Sequence, residues 1–185
     1  TIMDSHINHN QAGNGGGIYF YAFNKSTFNN VHISHNTATG RGGGCYLTWN
    51  SEPIFRNFSI SSNTATNNGG GVYSQEESTP LFNSGNFWGN LAQNGGGIYA
   101  QNAGYLSNDN TSGPNPLSLF SVKFDDNDAT QDGGGAFFEY CNTVMHKMEA
   151  FVNVANGNGG VFVFNNGSAH INNSILFNNS SESGS

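Results

Sequence analysis

Charged residues are scarce in this sequence, and positively charged residues are the scarcest. Asp, Glu, Lys and Arg together make up 9% of the chain, and Lys and Arg number five against a net charge of −7. Soluble domains have about a quarter of their residues charged. Nucleic acids and anionic membrane surfaces both attract clustered positive charge. The composition therefore argues against both of these partners.

Long apolar runs and helical periodicity are also missing. No apolar run approaches the roughly 18 residues that a membrane-spanning helix needs, and no stretch sustains a helical period. We therefore expect an all-β chain without membrane insertion. The sequence begins with Thr1 and carries no targeting signal, so we expect it to be one segment of a longer protein.

Glycine, in contrast, is abundant, and its positions repeat. Triplets of glycine begin at Gly15, Gly42, Gly69, Gly95 and Gly133, and a degenerate sixth unit begins at Asn158. A period of this length indicates a solenoid. Each triplet precedes a small apolar residue and an aromatic residue, and apolar residues further along the unit alternate as they do in strands. Gly, Asn, Ser and Thr fill the intervals and indicate turns.

The repeat predicts a right-handed parallel β-helix over residues 1–179, with about six to seven coils of roughly 26 residues. Coils stacked about 4.8 Å apart place equivalent residues above one another. The longest unit contains an inserted loop at 104–116, and residues 180–185 are predicted to be a linker or tail. Cys45 and Cys141 lie three units apart, roughly 14 Å along the axis, which is too far for a disulfide.

Stacking also predicts a ladder of asparagines whose side-chain amides pair from coil to coil. The alternative is that these asparagines only end strands in turns. The column consists of Asn10, Asn36, Asn63, Asn90, Asn127, Asn153 and Asn179.

A second column is aromatic, and alternation along the strand places it on the outer face of the coil. An exposed strip of this kind could stack on sugar rings or on a neighbouring rod. The alternative is that the column faces inward or only stabilises the sheet. The column consists of Tyr19, Tyr46, Tyr73, Tyr99, Phe137 and Phe162.

The repeat resembles that of the polymorphic outer membrane proteins of chlamydiae, which combines Gly-Gly-aliphatic with Phe-x-x-Asn. Phe87-Trp88-Gly89-Asn90 and Phe124-Asp125-Asp126-Asn127 match the second motif in full. Ile7, Ile33, Ile60 and Leu176 replace the phenylalanine in other units. The resemblance covers nearly the whole chain and implies a right-handed parallel β-helix. Similar repeats occur in surface adhesins and autotransporter passengers, so the resemblance implies little about activity.

Acceptor sequences for N-linked glycans are numerous, and several fall in predicted turns where a glycan could project. Occupancy assumes a eukaryotic secreted protein. The acceptors are Asn24, Asn57, Asn110, Asn166, Asn172, Asn178 and Asn179.

Two further groups of residues suggest metal binding, but a simpler interpretation is favoured for both. Asp125, Asp126, Asp128 and Asp132 form an oxygen-rich cluster, yet their spacing does not match a calcium loop, and a solvated turn is favoured. His6 and His32 share a repeat position, as do His9 and His35, and four imidazoles could bind zinc or copper. An exposed polar ladder is the favoured interpretation. We therefore predict no metal site and no cofactor other than glycans.

Catalysis is also not expected. Polysaccharide-cleaving β-helix enzymes need paired carboxylates or calcium with a basic residue, and this chain has few carboxylates. We predict no catalytic residues and expect a structural protein: a stiff extracellular or cell-surface solenoid, part of a fibre or scaffold, stacked end to end with copies of itself or with further coils of the same chain. The alternatives are a carbohydrate-binding adhesin or passenger domain, and a polysaccharide lyase or hydrolase with a cleft near Asp125 to Asp132.

Overall fold

The computed structural model describes residues 1–104 and 115–183. Within these ranges all regular structure is β-strand, and no helix is present that could cross a membrane. The strands pair in parallel and build three sheets. Together the sheets form a β-solenoid of about 6 turns with a spacing of about 27 residues. The predicted all-β solenoid is therefore confirmed.

Each sheet takes one stretch from every coil. The first sheet contains Ile2–Asn8, Thr27–Ser34, Ile54–Ser61, Leu81–Trp88, Leu117–Asp125, Asn142–His146, Glu149–Phe151, Ser168–Asn172 and Ile175–Phe177. The second contains Gln11–Ala12, Thr37–Ala38, Thr64–Ala65, Leu91–Ala92, Asp128–Ala129, Val154–Ala155 and Ser180–Ser181. The third contains Ile18–Phe20, Cys45–Leu47, Val72–Ser74, Ile98–Gln101, Ala136–Glu139 and Phe162–Asn165.

The register places chemically similar residues directly above one another. Phe28 pairs with Phe55, and Phe55 pairs with Phe82. The ring centroids of these pairs lie 4.8 and 5.1 Å apart, close to the spacing of neighbouring strands. Side chains of the first and third sheets that point inward form one continuous core. Cys45 is fully buried in this core and both cysteines are free thiols.

The corners of each coil are turned by residues in the left-handed backbone region. Non-glycine residues occupy this region as well as glycines, because a corner recurs at the same place in every coil. One corner follows the third sheet and has φ between 50° and 55° at Ala22, Trp49, Glu76, Asn102, Tyr140 and Asn166. A second corner follows the first sheet and has φ between 53° and 61° at His9, His35, Ser62, Gly89, Asp126, Val152 and Asn178.

The glycine triplets let the coils approach one another at a third corner. Gly42 has a φ of 67°, which glycine adopts without strain. A Cβ on the next residue, Gly43, would lie 2.4 Å from the carbonyl oxygen of Gly70 and 2.6 Å from that of Thr64. The triplet is therefore needed for both the turn and the close stacking.

Two boundaries differ from the sequence prediction. The last unit begins at Gly159, not Asn158, because Gly133 and Gly159 share the left-handed position and Val161 replaces the third glycine. Phe162 consequently pairs with Ala136 and belongs to the inner column, not to the aromatic column. Ser180–Ser181, predicted to begin a linker or tail, instead form a strand that pairs with Val154–Ala155. The predicted inserted loop at 104–116 lies almost entirely outside the described residues.

Candidate functional site

The predicted asparagine column is a continuous hydrogen-bond ladder along the solenoid. The backbone N–H and the side-chain Nδ2 of Asn36 both donate to Oδ1 of Asn63, each at 3.0 Å. The same pair of bonds joins Asn63 to Asn90, at 3.0 and 3.1 Å. Equivalent bonds link every step from Asn10 to Asn179.

Each ladder asparagine in the interior coils uses its whole side-chain amide. The second Nδ2 hydrogen of Asn63 bonds to the carbonyl oxygen of Ile33 in the preceding coil, at 2.9 Å. Asn36, Asn63 and Asn90 are fully buried. A buried amide is costly unless its donors and acceptors are paired. Among the described residues no buried side-chain nitrogen or oxygen lacks a partner, so the ladder couples neighbouring coils without leaving an orphaned polar group.

The aromatic column lies outside the main core as a separate cluster, but it is not an exposed strip. Tyr46, Tyr73 and Tyr99 are only 6%, 1% and 7% exposed, and Tyr19 alone, in the first coil, is 51% exposed. Their rings stack with centroids 4.9 to 5.4 Å apart, so each ring covers the faces of its neighbours. Phe137 extends the stack beyond Tyr99, at 5.1 Å. Of the two interpretations of this column, the burial of the rings excludes the open strip and agrees with the alternative, in which stacked rings stabilise the sheet.

Polar side chains cover the edges of this tyrosine stack. The guanidinium of Arg41 lies 5.1 Å from the ring centroid of Tyr73, a cation–π distance. The Tyr73 hydroxyl donates to Oε1 of Gln75 at 3.1 Å. The Tyr99 hydroxyl donates to Oε2 of Glu139 at 2.7 Å. A ligand therefore meets a hydrogen-bonded polar layer here rather than open rings.

Burial changes the acidity of the stacked tyrosines. It raises the pKa of Tyr73 to about 12. Burial also raises the pKa of Tyr99, and the hydrogen bond to the Glu139 carboxylate raises it further. Burial also raises the pKa of Tyr46. All three hydroxyls are therefore neutral at physiological pH.

A group of exposed aromatic residues that the sequence analysis missed lies at the corner after the third sheet. Tyr21, Phe23 and Trp49 are 59%, 68% and 53% exposed. The ring centroids of Tyr21 and Trp49 lie 5.9 Å apart. One feature of the sequence could have indicated this group. Trp49 lies in a predicted turn, and the equivalent residues of the next two coils are the polar Glu76 and Asn102.

The predicted glycan acceptors lie in different environments. Asn24 is half-buried, and its Oδ1 accepts the backbone N–H of Ser26 at 3.0 Å. Asn179 is the last rung of the ladder, where Nδ2 donates to the carbonyl oxygens of Ala150 and Phe177. Asn110 lies outside the described residues. The exposed acceptors are Asn57, Asn166, Asn172 and Asn178.

The histidines form two stacked pairs. The ring centroids of His6 and His32 lie 4.8 Å apart, and those of His9 and His35 lie 5.1 Å apart. In the parts of the chain that the structure describes, no three His, Cys, Asp or Glu side chains are placed to hold a metal ion together.

The aspartates of the acidic cluster bond to separate partners. Asp125 pairs with Nζ of Lys123 at 2.8 Å. Asp132 accepts the backbone N–H of Asn158 at 2.6 Å. Burial raises the pKa of Asp128, and the charge of Asp126 raises it further. Because Asp125 and Asp132 bond to different partners, the cluster resembles the favoured solvated turn more than a calcium site.

The two ends of the described solenoid expose residues that are buried in the interior coils. Leu176 is 48% exposed, although its equivalents Phe124 and Ala150 in the preceding coils are fully buried. Phe162 and Leu176 line an open groove of about 420 Å³ at this end. At the other end Ile7 is half-buried. Both ends therefore present apolar surface.

Comparison with known families connects one coil of this structure to a recognised repeat. A search of curated proteins and a search of solved structures returned no match. Residues 57–75 match the family model of the Chlamydia polymorphic membrane protein repeat. This segment runs from the first sheet through the ladder residue Asn63 and the Gly69 triplet to Gln75, just after the third sheet. The chain therefore carries a repeat similar to that of this family, and the matched residues form most of one coil of a parallel β-solenoid.

Proposed function

We propose that this chain is a stiff solenoid segment of an extracellular, cell-surface scaffold that extends by end-to-end stacking. The observation that carries the proposal is the asparagine ladder, which joins each coil to the next through side-chain amides that are buried and fully paired in the interior coils. Its supports are the match of residues 57–75 to a repeat of membrane proteins and the apolar ends. The proposed role is mechanical and requires no catalytic residue, metal or cofactor.

Stiffness follows from the way in which the coils are joined. Parallel strands of neighbouring coils bond to each other in all three sheets, and rings stack along the axis at 4.8 to 5.4 Å. Bending the rod would have to stretch the backbone bonds, the amide ladder and the ring stacks together. A repeat array of this kind holds its shape through interactions between nearest neighbours.

End-to-end contact follows from the apolar groove around Leu176. Covering such a surface with another coil removes apolar area from water. It also pairs the edge strands of the sheets, whose free N–H and C=O groups could otherwise pair with other chains. The backbone N–H and Nδ2 of Asn179 occupy the positions from which earlier rungs donate to the next coil. A further coil with an asparagine in register, from a second copy or from the same chain, continues the ladder.

Self-association of the isolated chain tests this part of the proposal. Sedimentation velocity over a range of concentrations is expected to show linear oligomers whose population falls in the variant Leu176→Lys. The matched control is Leu91→Lys, because Leu91 is exposed on the side of the rod beside Asp128. A chain that stays monomeric at every concentration, or equal effects of the two variants, would contradict end-to-end stacking through this surface.

Glycans on the sides of the rod form the second part of the proposal. Asn166 is exposed at a left-handed corner, so a glycan can project there without disturbing the ladder. Asn179 uses its amide in the ladder, and a glycan on it would oppose stacking. Mass spectrometry of the protein from its source is expected to find Asn166 modified and Asn179 unmodified. The reverse pattern would contradict the proposed arrangement.

A further inference from the structure

A patch of apolar and acidic side chains lies on the side of the rod, at the corner between the first and second sheets. It spans three consecutive coils. The middle coil supplies carboxylates, and the coils on either side of it supply exposed apolar side chains. This surface, which we call the lateral patch, consists of Trp88, Leu91, Asp126, Asp128, Val152 and Val154.

Strand pairing fixes the order of these residues along the rod. Leu91 pairs with Asp128, and Asp128 pairs with Val154. Asp126 and Val152 occupy the same corner position in successive coils, each with a φ of 55°. Because neighbouring strands lie about 4.8 Å apart, the acidic row is held between two apolar rows that are about 10 Å apart. A surface of this size fits a short peptide segment.

The exposure of the lateral patch does not come from an end of the chain. Described coils lie both before and after the patch, and its apolar side chains nevertheless remain 36 to 45% exposed. These side chains point outward from the rod, whereas a further coil would cover only the first or last coil of the stack. The patch is therefore a side surface that end-to-end stacking leaves open.

The fold does not require apolar residues at these positions. Ser61 precedes Trp88 in its column, and Thr64 precedes Leu91. Val152 combines a β-branched side chain with left-handed backbone, which is a steric outlier, and it gains little burial in return because it is 44% exposed. Strained residues of this kind are typical of functional surfaces.

The carboxylates between the apolar rows are not neutralised. In the part of the chain that the structure describes, no cation pairs with Asp126 or Asp128. Burial raises the pKa of Asp128, and the charge of Asp126 raises it further, so the two carboxylates repel each other. Beside them, Nζ of Lys123 lies 2.8 Å from Oδ2 of Asp125 and 5.2 Å from the ring centroid of Phe151. The chain's own lysine thus contacts a carboxylate and an aromatic ring together on this side of the rod.

We propose that the lateral patch binds a segment of another protein in which Lys or Arg residues are flanked by apolar side chains. The cations of the segment pair with Asp126 and Asp128, and its apolar side chains cover Trp88 and Val152. The indole of Trp88 also offers a face on which a cation can lie.

Other occupants match the lateral patch less well. A second copy of this chain brings a net charge of −7 and only five Lys and Arg residues, so it is repelled. A neutral sugar leaves both carboxylates without a counter-charge, and a metal ion alone leaves the apolar rows in water. A segment that carries both cations and apolar side chains satisfies both parts of the surface.

Peptide selection tests this proposal. A phage-displayed library of random peptides is selected on the chain and, in parallel, on the double variant Asp126→Asn with Asp128→Asn. We expect the chain to enrich peptides that combine Lys or Arg with apolar residues, and the double variant not to enrich them. The proposal is overturned if the chain enriches no peptide, or if the enriched peptides carry no positive charge.

Fluorescence anisotropy with the most enriched peptide then tests each row of the patch. We expect the double variant to lower the affinity by about tenfold or more, or about 1.4 kcal/mol. Trp88→Ser and Val152→Asn should also weaken binding. Because asparagine tolerates left-handed backbone well, Val152→Asn should unfold at the same temperature as the original chain or higher, which separates weaker binding from loss of the fold.

Two controls separate the lateral patch from general charge attraction and from stacking. Glu77→Gln removes one charge from an exposed residue at the corner after the third sheet, and equal effects of Glu77→Gln and Asp126→Asn would overturn the proposal. Leu91→Lys is expected to weaken peptide binding without changing self-association, and Leu176→Lys is expected to do the reverse. The proposal is also overturned if Trp88→Ser disperses oligomers of the chain and leaves the peptide affinity unchanged.

Discussion

At the scale of single residues, large side chains in one coil are accommodated by small ones in the next. Phe58 is buried in the core and pairs in register with Gly85 of the following coil. Gly85 in turn pairs with Val122 of the coil after that. A Cβ on Gly85 would lie 2.4 Å from the Phe58 ring and 2.5 Å from the Phe58 carbonyl oxygen. The sequence pattern alone does not reveal this compensation, because Gly85 interrupts an apolar column.

Gly85→Ala is therefore expected to destabilise the protein by about 1–3 kcal/mol through overpacking. Urea unfolding measures the change in free energy. The matched control is Gly13→Ala, because nothing lies within 4 Å of a Cβ at Gly13. In the background of Phe58→Val the cost of Gly85→Ala should become smaller, since the ring is gone, and an unchanged cost would contradict the assigned contact.

The ladder asparagines give a second prediction at this scale. In Asn63→Asp the carboxylate cannot donate to Asn90 and Ile33, and an unpaired charge is left in the core. We expect a loss of about 3–5 kcal/mol at pH 7. Burial should raise the pKa of the new carboxyl, so the folded variant holds its proton to higher pH than the unfolded chain, and its stability should recover as the pH is lowered.

Asn57→Asp is the matched control for this experiment, because Asn57 is exposed on the same strand. A surface change of this kind is expected to stay within about 0.5 kcal/mol. If Asn63→Asp and Asn57→Asp destabilise the protein equally, the amide ladder does not contribute to stability as the structure indicates.

At the scale of the elements, the column of stacked tyrosines shows most clearly what the sequence pattern does not reveal, namely whether a column of side chains is exposed. Alternation correctly separates this column from the main core, but it says nothing about exposure. The rings are covered because stacking brings each face against the next ring and because Arg41, Gln75 and Glu139 close the edges. Such cover depends on residues from different coils and cannot be derived from one strand.

The tyrosine stack predicts a loss of stability at alkaline pH. An unfolded tyrosine ionises near pH 10, whereas the pKa of Tyr73 in the folded chain is raised to about 12. As the pH rises through this window the unfolded chain loses protons first, so the free energy of unfolding falls. Burial raises the pKa of the Cys141 thiol to about 12 as well, which acts in the same direction.

Urea unfolding of the chain and of Tyr73→Phe, measured from pH 8 to pH 11, isolates the contribution of the tyrosine. The variant should lose stability less steeply with rising pH, since it lacks one of the titrating hydroxyls. Parallel curves for the two proteins would show that Tyr73 is not buried in the folded chain.

The repeat itself was the part of the fold that could be predicted most fully. Gly42 and its equivalents have a left-handed backbone conformation, and the glycines that follow them lie close to the backbone of the next coil. Few other residues permit either, so the glycine triplets mark the coils in the sequence. The last unit was misplaced by one residue because Val161 stands where a glycine was expected. The exposed aromatic corner at Trp49 was missed because hydrophobic periodicity gives no information about which residues have a left-handed backbone.

At the scale of the whole molecule, the coils form a rod with a polar exterior and apolar ends. The first and last described coils leave Ile7 and Leu176 less buried than their equivalents in the interior. The ladder has a direction, since each asparagine donates to the asparagine of the following coil. In the proposed scaffold such rods would stack head to tail, and head-to-tail contacts give open filaments when they do not close into a ring.

End-to-end stacking can be tested by electron cryo-microscopy of the protein as isolated from its source, with its glycans retained. We expect an unbroken stack of parallel coils spaced about 4.8 Å apart, continuing past the coils of Ile7 and Leu176 and carrying density at Asn166. A separate, capped particle whose ends are covered by other structure would contradict the proposed end-to-end scaffold.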